Sequence, residues 1–164
     1  MGELRNLAAA IGAELKTKQH SIAVAESSAG GLINAALVAV PGASAFYLGG
    51  GIIYTMAGRT ALLGIEAADV KGMRSASEPY ARLLAKRVRE KLGATWGLSE
   101  TGASGPTGNA YGDAPGHACI AVSGPCDMVL TVETASADRE ANMQEFTRRA
   151  LTLLLACLGK AATR

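Results

Sequence analysis

The chain has 164 residues, 49% of them apolar and 18% charged, with 20 glycines, 4% aromatics and a formal charge of +2. This length fits one domain of the commonest size and suffices to bury a core, so residues 1–164 are read as a single domain with no linker. The composition excludes a disordered chain, the small charge without a basic run argues against direct binding of nucleic acid, and no stretch approaches the roughly 20 apolar residues of a membrane span. The start lacks the charged head and apolar run of a signal peptide, so a soluble, cytoplasmic protein is expected. Cys119, Cys126 and Cys157 show no metal-type spacing and read as reduced thiols. His117 and Cys119 would share one face of a strand, but two ligands do not make a metal site.

Leu4, Leu7, Ala8, Ile11 and Leu15 recur at helical spacing, which predicts an amphipathic helix ending near Lys16–His20. Ser21–Ala25 reads as a short buried strand. Ser27 or Ser28 then caps a helix through Leu32, Ile33, Leu37 and Val40 that Pro41-Gly42 stops. Gly49–Gly51 leads into a strand at Ile52–Thr55, and Met56–Leu63 reads as a short helix closed by Gly64. Ser77-Glu78-Pro79 has the chemistry of a helix start, with Gly93 as its end. Thr95–Ser99 reads as a third strand, separated by a glycine-rich loop, 102–116, from a hairpin of His117–Val122 and Met128–Val132. A last helix turns Phe146, Ala150, Leu153, Leu154 and Cys157 inward. The sum is an α/β chain: a three-layer α/β/α sandwich with a mixed, mostly parallel sheet of five or six strands.

Two stretches stand out, Ala25-Glu26-Ser27-Ser28-Ala29-Gly30-Gly31 and Thr101-Gly102-Ala103-Ser104-Gly105-Pro106. Each follows a strand and is rich in hydroxyls and glycines. A strand that ends this way and enters a helix leaves backbone N–H groups open toward an anion. The long loop after the second stretch begins at a strand end, where α/β proteins bind ligands, and is read as a pocket wall. Each feature also has a purely structural reading: the serines as helix caps, the glycines as turn residues, Tyr54 as a strand aromatic and Arg139 as an exposed residue of the last helix.

These residues together resemble the CinA C-terminal domain family, whose stand-alone members include nicotinamide mononucleotide deamidases. The resemblance covers nearly the whole chain and rests on Ala25-Glu26-Ser27 with Gly30-Gly31, Pro41–Phe46, Gly51–Tyr54, Leu63-Gly64, Ser77-Glu78, and Thr101-Gly102 with Gly105-Pro106. It implies hydrolysis of the nicotinamide amide to a carboxylate with release of ammonia, a small nucleotide as substrate, a homo-oligomer, and neither metal nor redox cofactor. Amide hydrolysis needs an activated nucleophile, a proton donor for the leaving ammonia and donors for the oxyanion. The resemblance offers Ser44, favoured, and then Ser27 as nucleophile, with Tyr54 and Arg59 as the other catalytic candidates. For the substrate and its phosphate it offers Glu26, Gly30, Gly31, Thr101, Gly102, Gly105 and Arg139.

The chain departs from the family pattern at four pocket positions. The family's Tyr-Ser-Asn-x-x-Lys stands here as Tyr54-Thr55-Met56-Ala57-Gly58-Arg59. A guanidinium with a pKa above roughly 12 stays charged and cannot accept a proton as a buried lysine can. The loop ends Asp113-Ala114-Pro115-Gly116 where the family has Lys-Pro-Val-Gly, Met143 stands where a second arginine is usual, and Ala29 replaces a threonine. Two readings follow: an active amidohydrolase in which Arg59 is an electrostatic clamp, and an impaired member that binds a nucleotide-like ligand or a protein partner.

Overall fold

The strand Ile22–Glu26, buried at all five positions, organises the fold. A computed structural model of the chain describes residues 2–161. In chain order these form α1 (Gly2–Lys18), β1 (Ile22–Glu26), α2 (Leu32–Val38), β2 (Tyr47–Ile52), α3 (Met56–Leu63), α4 (Glu78–Leu92), β3 (Trp96–Ala103), β4 (His117–Ser123), β5 (Met128–Glu133) and α5 (Arg139–Ala161), with 3-10 turns at Ala43–Ala45 and Ala67–Val70. The sheet has five strands in the order β2-β1-β3-β4-β5. β2, β1 and β3 are mutually parallel, and β4 is antiparallel to both β3 and β5, so it alone runs against the other four.

Alternation along the strands divides the core. Ile22 and Val24 of β1, with Leu98 of β3 and Ile120 of β4, face α1, α2 and α5. Ala23 and Ala25 face the opposite layer, with Ile53, Leu63, Tyr80, Leu84 and Val88 from α3, α4 and their flanks. Side chains two apart on a strand share a face, so one buried strand supplies both cores. Among the described residues no helix is long and apolar enough to cross a membrane.

The helix punctuation follows local chemistry. Thr55 and Ser77 accept hydrogen bonds from Gly58 N and Tyr80 N at the starts of α3 and α4, while Gly64 and Gly93 end them at φ 63° and 66°. Two strand boundaries differ from expectation. The glycines Gly49–Gly51 lie inside β2, and at Gly50 the sheet neighbour and α2 leave no room for a side chain: a Cβ there would overlap the Val24 carbonyl and the Asn34 amide. β3 continues through Thr101-Gly102-Ala103, paired with β4 as far as His117, so the second hydroxyl stretch is strand before it is loop. β2 is an edge strand with Leu48 and Ile52 exposed.

Gly97 marks the closest approach of α4 to β3, since a Cβ there would overlap the Ala85 carbonyl and crowd Arg89. Gly97→Ala is expected to lower the unfolding free energy by about 1–3 kcal/mol through overpacking. Gly159→Ala, at a position in α5 with nothing within 4 Å, is expected to be neutral or to raise stability by up to about 1 kcal/mol. Urea titrations of the two variants check the contrast.

Candidate functional site

Two buried carboxylates build the site. Glu26, the last residue of β1, turns its side chain into the start of α2: Oε1 accepts from Gly31 N at 2.7 Å and Ile33 N at 3.3 Å, and Oε2 from Asn34 N at 2.8 Å and Asn34 Nδ2 at 2.6 Å. These N–H groups have no partner within the helix, and a negative charge at that end is favourable. Neither Ser27 nor Ser28 caps α2, whose N-cap is Gly31 without a side-chain bond. The expected phosphate cradle at Gly30 and Gly31 is also filled from within the protein, because Gly30 N donates to Ser27 O and Gly31 N to Glu26.

The second carboxylate, Glu100 of β3, sits beneath the turn that joins β1 to α2. Its Oε2 accepts from Ser27 N at 3.1 Å and Ala29 N at 2.8 Å, and its Oε1 accepts from the Ser28 hydroxyl. Complete burial pushes its pKa up to about 7 and the charge of Glu26 adds to the rise, against the opposing bonds from Ser28, Ala29 and Ser27. The sequence reading passed over Glu100. Its signal was a carboxylate between Ser99 and Thr101 in a strand otherwise composed of apolar and small residues.

Above this turn opens a cavity of about 440 Å³ at the carboxyl ends of β1, β2 and β3, where parallel strands of α/β proteins bind ligands. Of the expected residues, Ser27, Tyr54, Arg59, Thr101, Gly102, Gly105 and Arg139 line it. Arg139, at the start of α5, donates to the Gly105 carbonyl and, at 3.1 Å, to Tyr54 Oη. Arg59 reaches in from α3 with its guanidinium 6.0 Å from the Tyr80 ring centroid. Only 7% exposed, Arg59 has no carboxylate partner among the described residues, and its Nε makes no hydrogen bond. Ser104 Oγ, also in the cavity wall, is buried and unpaired as well. A buried cation without a counter-charge is costly, and such orphaned groups call for a polar or anionic occupant.

Ser44 does not join this group. It is exposed in the 3-10 turn that leads into β2, so it lies beyond the amino end of that strand. The six residues of β2, at about 3.3 Å each, put roughly 20 Å between it and the cavity mouth. Glu26, Gly30 and Gly31 are not among the residues that line the cavity. Met143 occupies the space beside Gly30, its methyl group against the position a Cβ would take.

A second cluster fixes the cavity wall. Ala76, buried with φ 54°, is held on both sides: its N donates to Thr101 Oγ1 at 3.2 Å and its carbonyl accepts from His117 Nε2 at 2.7 Å. His117 Nδ1 lies 2.5 Å from Glu133 Oε1, so both ring nitrogens face acceptors, an arrangement that favours the protonated imidazole. Burial opposes that charge. The Glu133 bond, the Ala76 carbonyl and the charges of Asp113 and Glu133 outweigh it, and the His117 pKa is raised. Asp113, which stands where the family carries a cation, closes the 102–116 loop by pairing with Arg74 at 2.6 and 3.1 Å and with Asn109 at 2.8 Å. The Arg74 bond comes first among the causes that hold its carboxyl below the usual range.

Sheet order and layers define an α/β sandwich protein with a polar cavity at the strand ends. The model of the CinA C-terminal domain matches residues 4–158, and the chain belongs to that family. It is 41% identical over 115 residues to a CinA-like protein of Prochlorococcus marinus, a match covering 69% of this chain and 27% of that one. It is 34% identical over 142 residues to a CinA-like protein of Anaeromyxobacter, covering 87% and 35%. The chain thus spans about a third or less of the length of these curated relatives. It superposes on the competence/damage inducible protein CihA of Agrobacterium tumefaciens with a TM-score of 0.87, 25% identity and 97% of each chain covered. On the CinA superfamily protein of Escherichia coli the TM-score is 0.86, with 25% identity and 93% and 90% covered.

The raised pKa of His117 makes its charge a source of stability that is complete below about pH 6.5, the unfolded value, and is lost as pH rises through the folded one. The urea midpoint of the wild-type protein is therefore expected to fall as pH rises above about 6.5, while that of His117→Gln stays flatter there. Denaturation series at constant ionic strength check this.

Proposed function

We propose that the chain is an amidohydrolase of pyridine nucleotides that converts nicotinamide mononucleotide and water to nicotinic acid mononucleotide and ammonia. The observation that carries this reading is the juxtaposition, in one cavity of about 440 Å³, of the buried and unpaired Arg59 with the hydroxyl turn Ser27-Ser28 and with Arg139 at the mouth. The volume falls in the range of about 300–1,000 Å³ usual for small-molecule sites. Two arginines at different depths suit a ligand that carries a phosphate and a second polar group. A guanidinium binds oxyanions through a fixed fork of donors and holds its charge throughout the working range. The Ser27-Ser28 turn supplies the attacking hydroxyl, and membership of the CinA C-terminal domain family supports the amide as the bond broken.

A second reading rests on Arg59 itself. A residue that cannot take a proton serves binding as well as it serves catalysis, so a protein that holds the nucleotide without turning it over fits the same cavity. One pair of assays separates the two: ammonia release from nicotinamide mononucleotide, and calorimetric titration with the same compound. Turnover by the wild-type chain is expected, and binding without ammonia release would favour the second reading. Each hydrogen bond to a charged group contributes about 1.5–3 kcal/mol, so Arg59→Gln and Arg139→Ala are each expected to weaken binding roughly 10- to 150-fold. Affinity unchanged in both variants would refute the assignment of the cavity to an anionic nucleotide.

A further inference from the structure

A serine becomes a nucleophile when a base stands within hydrogen-bond reach of its hydroxyl. Only one serine of the cavity wall meets that condition among the described residues. Ser104 Oγ is buried without a partner, and Ser27 engages Glu100 through its backbone N rather than its hydroxyl. Ser28 donates its hydroxyl directly to Glu100 Oε1. The carboxylate is held against rotation, because Oε2 is fixed by the Ser27 and Ala29 N–H groups, and Oε1 is thereby directed at the hydroxyl. Third groups orient the base in the same way in established nucleophile and base pairs. Glu100 is fully buried, as Ser28 nearly is, so the pair is screened from bulk water, while Ser28 lines the cavity.

We propose that Ser28 is the nucleophile of this site and that Glu100 is the base that takes its proton, an assignment that rests on reading the cavity as an amide-hydrolysing one. As the Ser28 proton passes to Glu100 Oε1, Ser28 Oγ forms a bond to the amide carbon and the carbonyl π electrons move to oxygen. The oxyanion collapses, the carbon–nitrogen bond breaks, and the departing nitrogen takes the proton from Glu100 and leaves as ammonia. Water then attacks the ester on Ser28, Glu100 accepts its proton, and the carbon–oxygen bond to Ser28 breaks with return of that proton to Ser28 Oγ. The products are the free acid and ammonia, and both residues end as they began. Burial places the Glu100 pKa near 7, where one group serves as acceptor and donor in turn. Glu26 is the neighbouring carboxylate that reinforces this, and Arg59 and Arg139 are the cations that share the cavity. The base that a guanidinium at position 59 cannot supply thus comes from β3, beneath the β1–α2 turn.

The test uses the full chain with Ser28→Ala, Glu100→Gln and Glu100→Asp. In ammonia release from nicotinamide mononucleotide, Ser28→Ala and Glu100→Gln are expected to lower kcat by about 10²- to 10⁴-fold. Calorimetric affinity should stay within about threefold, and the double variant should be no slower than the worse single one. Ser28→Ala leaves both backbone bonds to Glu100 intact, so its loss of turnover would not be a loss of the turn. Glu100→Asp, which keeps the carboxylate one methylene short, is expected to recover part of the rate. A wild-type kcat in Glu100→Gln or Ser28→Ala overturns the pair while leaving the deamidase reading in place.

No ammonia from the wild-type chain overturns that reading instead, and the pair is then judged with a sulfonyl fluoride. That reagent forms an oxygen–sulfur bond to an activated serine, expels fluoride and gives the serine proton to the base. Mass spectrometry is expected to find the adduct on Ser28 and to find it lost in Glu100→Gln. No adduct on Ser28, or one that persists unchanged in Glu100→Gln, overturns the proposal.

Discussion

Two carboxylates buried beneath one turn hold the site together. Glu26, at the end of β1, and Glu100, within the neighbouring parallel strand β3, between them accept bonds from the backbone N–H groups of Ser27, Ala29, Gly31, Ile33 and Asn34. A turn of small residues has few side-chain contacts of its own to fix it, and glycines add entropy to its unfolded form. Charge-assisted bonds are about twice as strong as neutral ones, and here they replace the missing packing. The same bonds satisfy the start of α2 from inside the fold, so the helix end does not need a ligand. The backbone N–H groups of the β1–α2 turn are therefore not free for an anion, and the proposed function gives that role to arginine side chains.

The cavity above that turn is unbalanced in charge. Arg59 enters it without an ion-pair partner among the described residues, while the nearby acidic groups are committed elsewhere, Glu26 to α2, Glu100 to the β1–α2 turn and Asp113 to Arg74. Tyr80 offers its ring face to the guanidinium, a contact of about 0.5–2 kcal/mol that offsets only part of the desolvation of a buried cation. Folding energy alone gives no reason to keep such a residue there. The negatively charged ligand of the proposed function would, and it would meet Arg139 on its way in. The wall it passes is fixed by Ala76, which Thr101 and His117 pin in a left-handed conformation that a non-glycine residue seldom adopts.

Much of the architecture was legible in the chain because helix starts and stops are local. Ser77 and Gly93 frame α4 and Thr55 and Gly64 frame α3 by hydrogen bonds and φ angles that their own chemistry dictates. The start of α2 was misread because its cap comes from Glu26, five or more residues upstream of the N–H groups it receives, through contacts that no serine pattern signals. The glycines of β2 read as a lead-in because the purpose of Gly50, room for Asn34 of α2 and the Val24 carbonyl, is tertiary. Within the site, the family pattern brought Ser27, Tyr54, Arg59, Thr101, Gly102, Gly105 and Arg139 to one cavity. It also offered Ser44, which the path of the chain through β2 carries to the other end of the sheet. Glu100 escaped notice since a single carboxylate in a strand means nothing until the fold shows what it lies under.

A crystal structure of the protein with nicotinic acid mononucleotide, the product of the proposed reaction and one that cannot be turned over further, would test the central claim most directly. The account predicts the nucleotide in the cavity between β1, β2 and β3, its phosphate and its pyridine carboxylate divided between Arg139 and Arg59, and the carboxylate carbon within reach of the Ser27-Ser28 turn. A nucleotide bound away from both arginines, or a cavity that stays empty at saturating product, would contradict it.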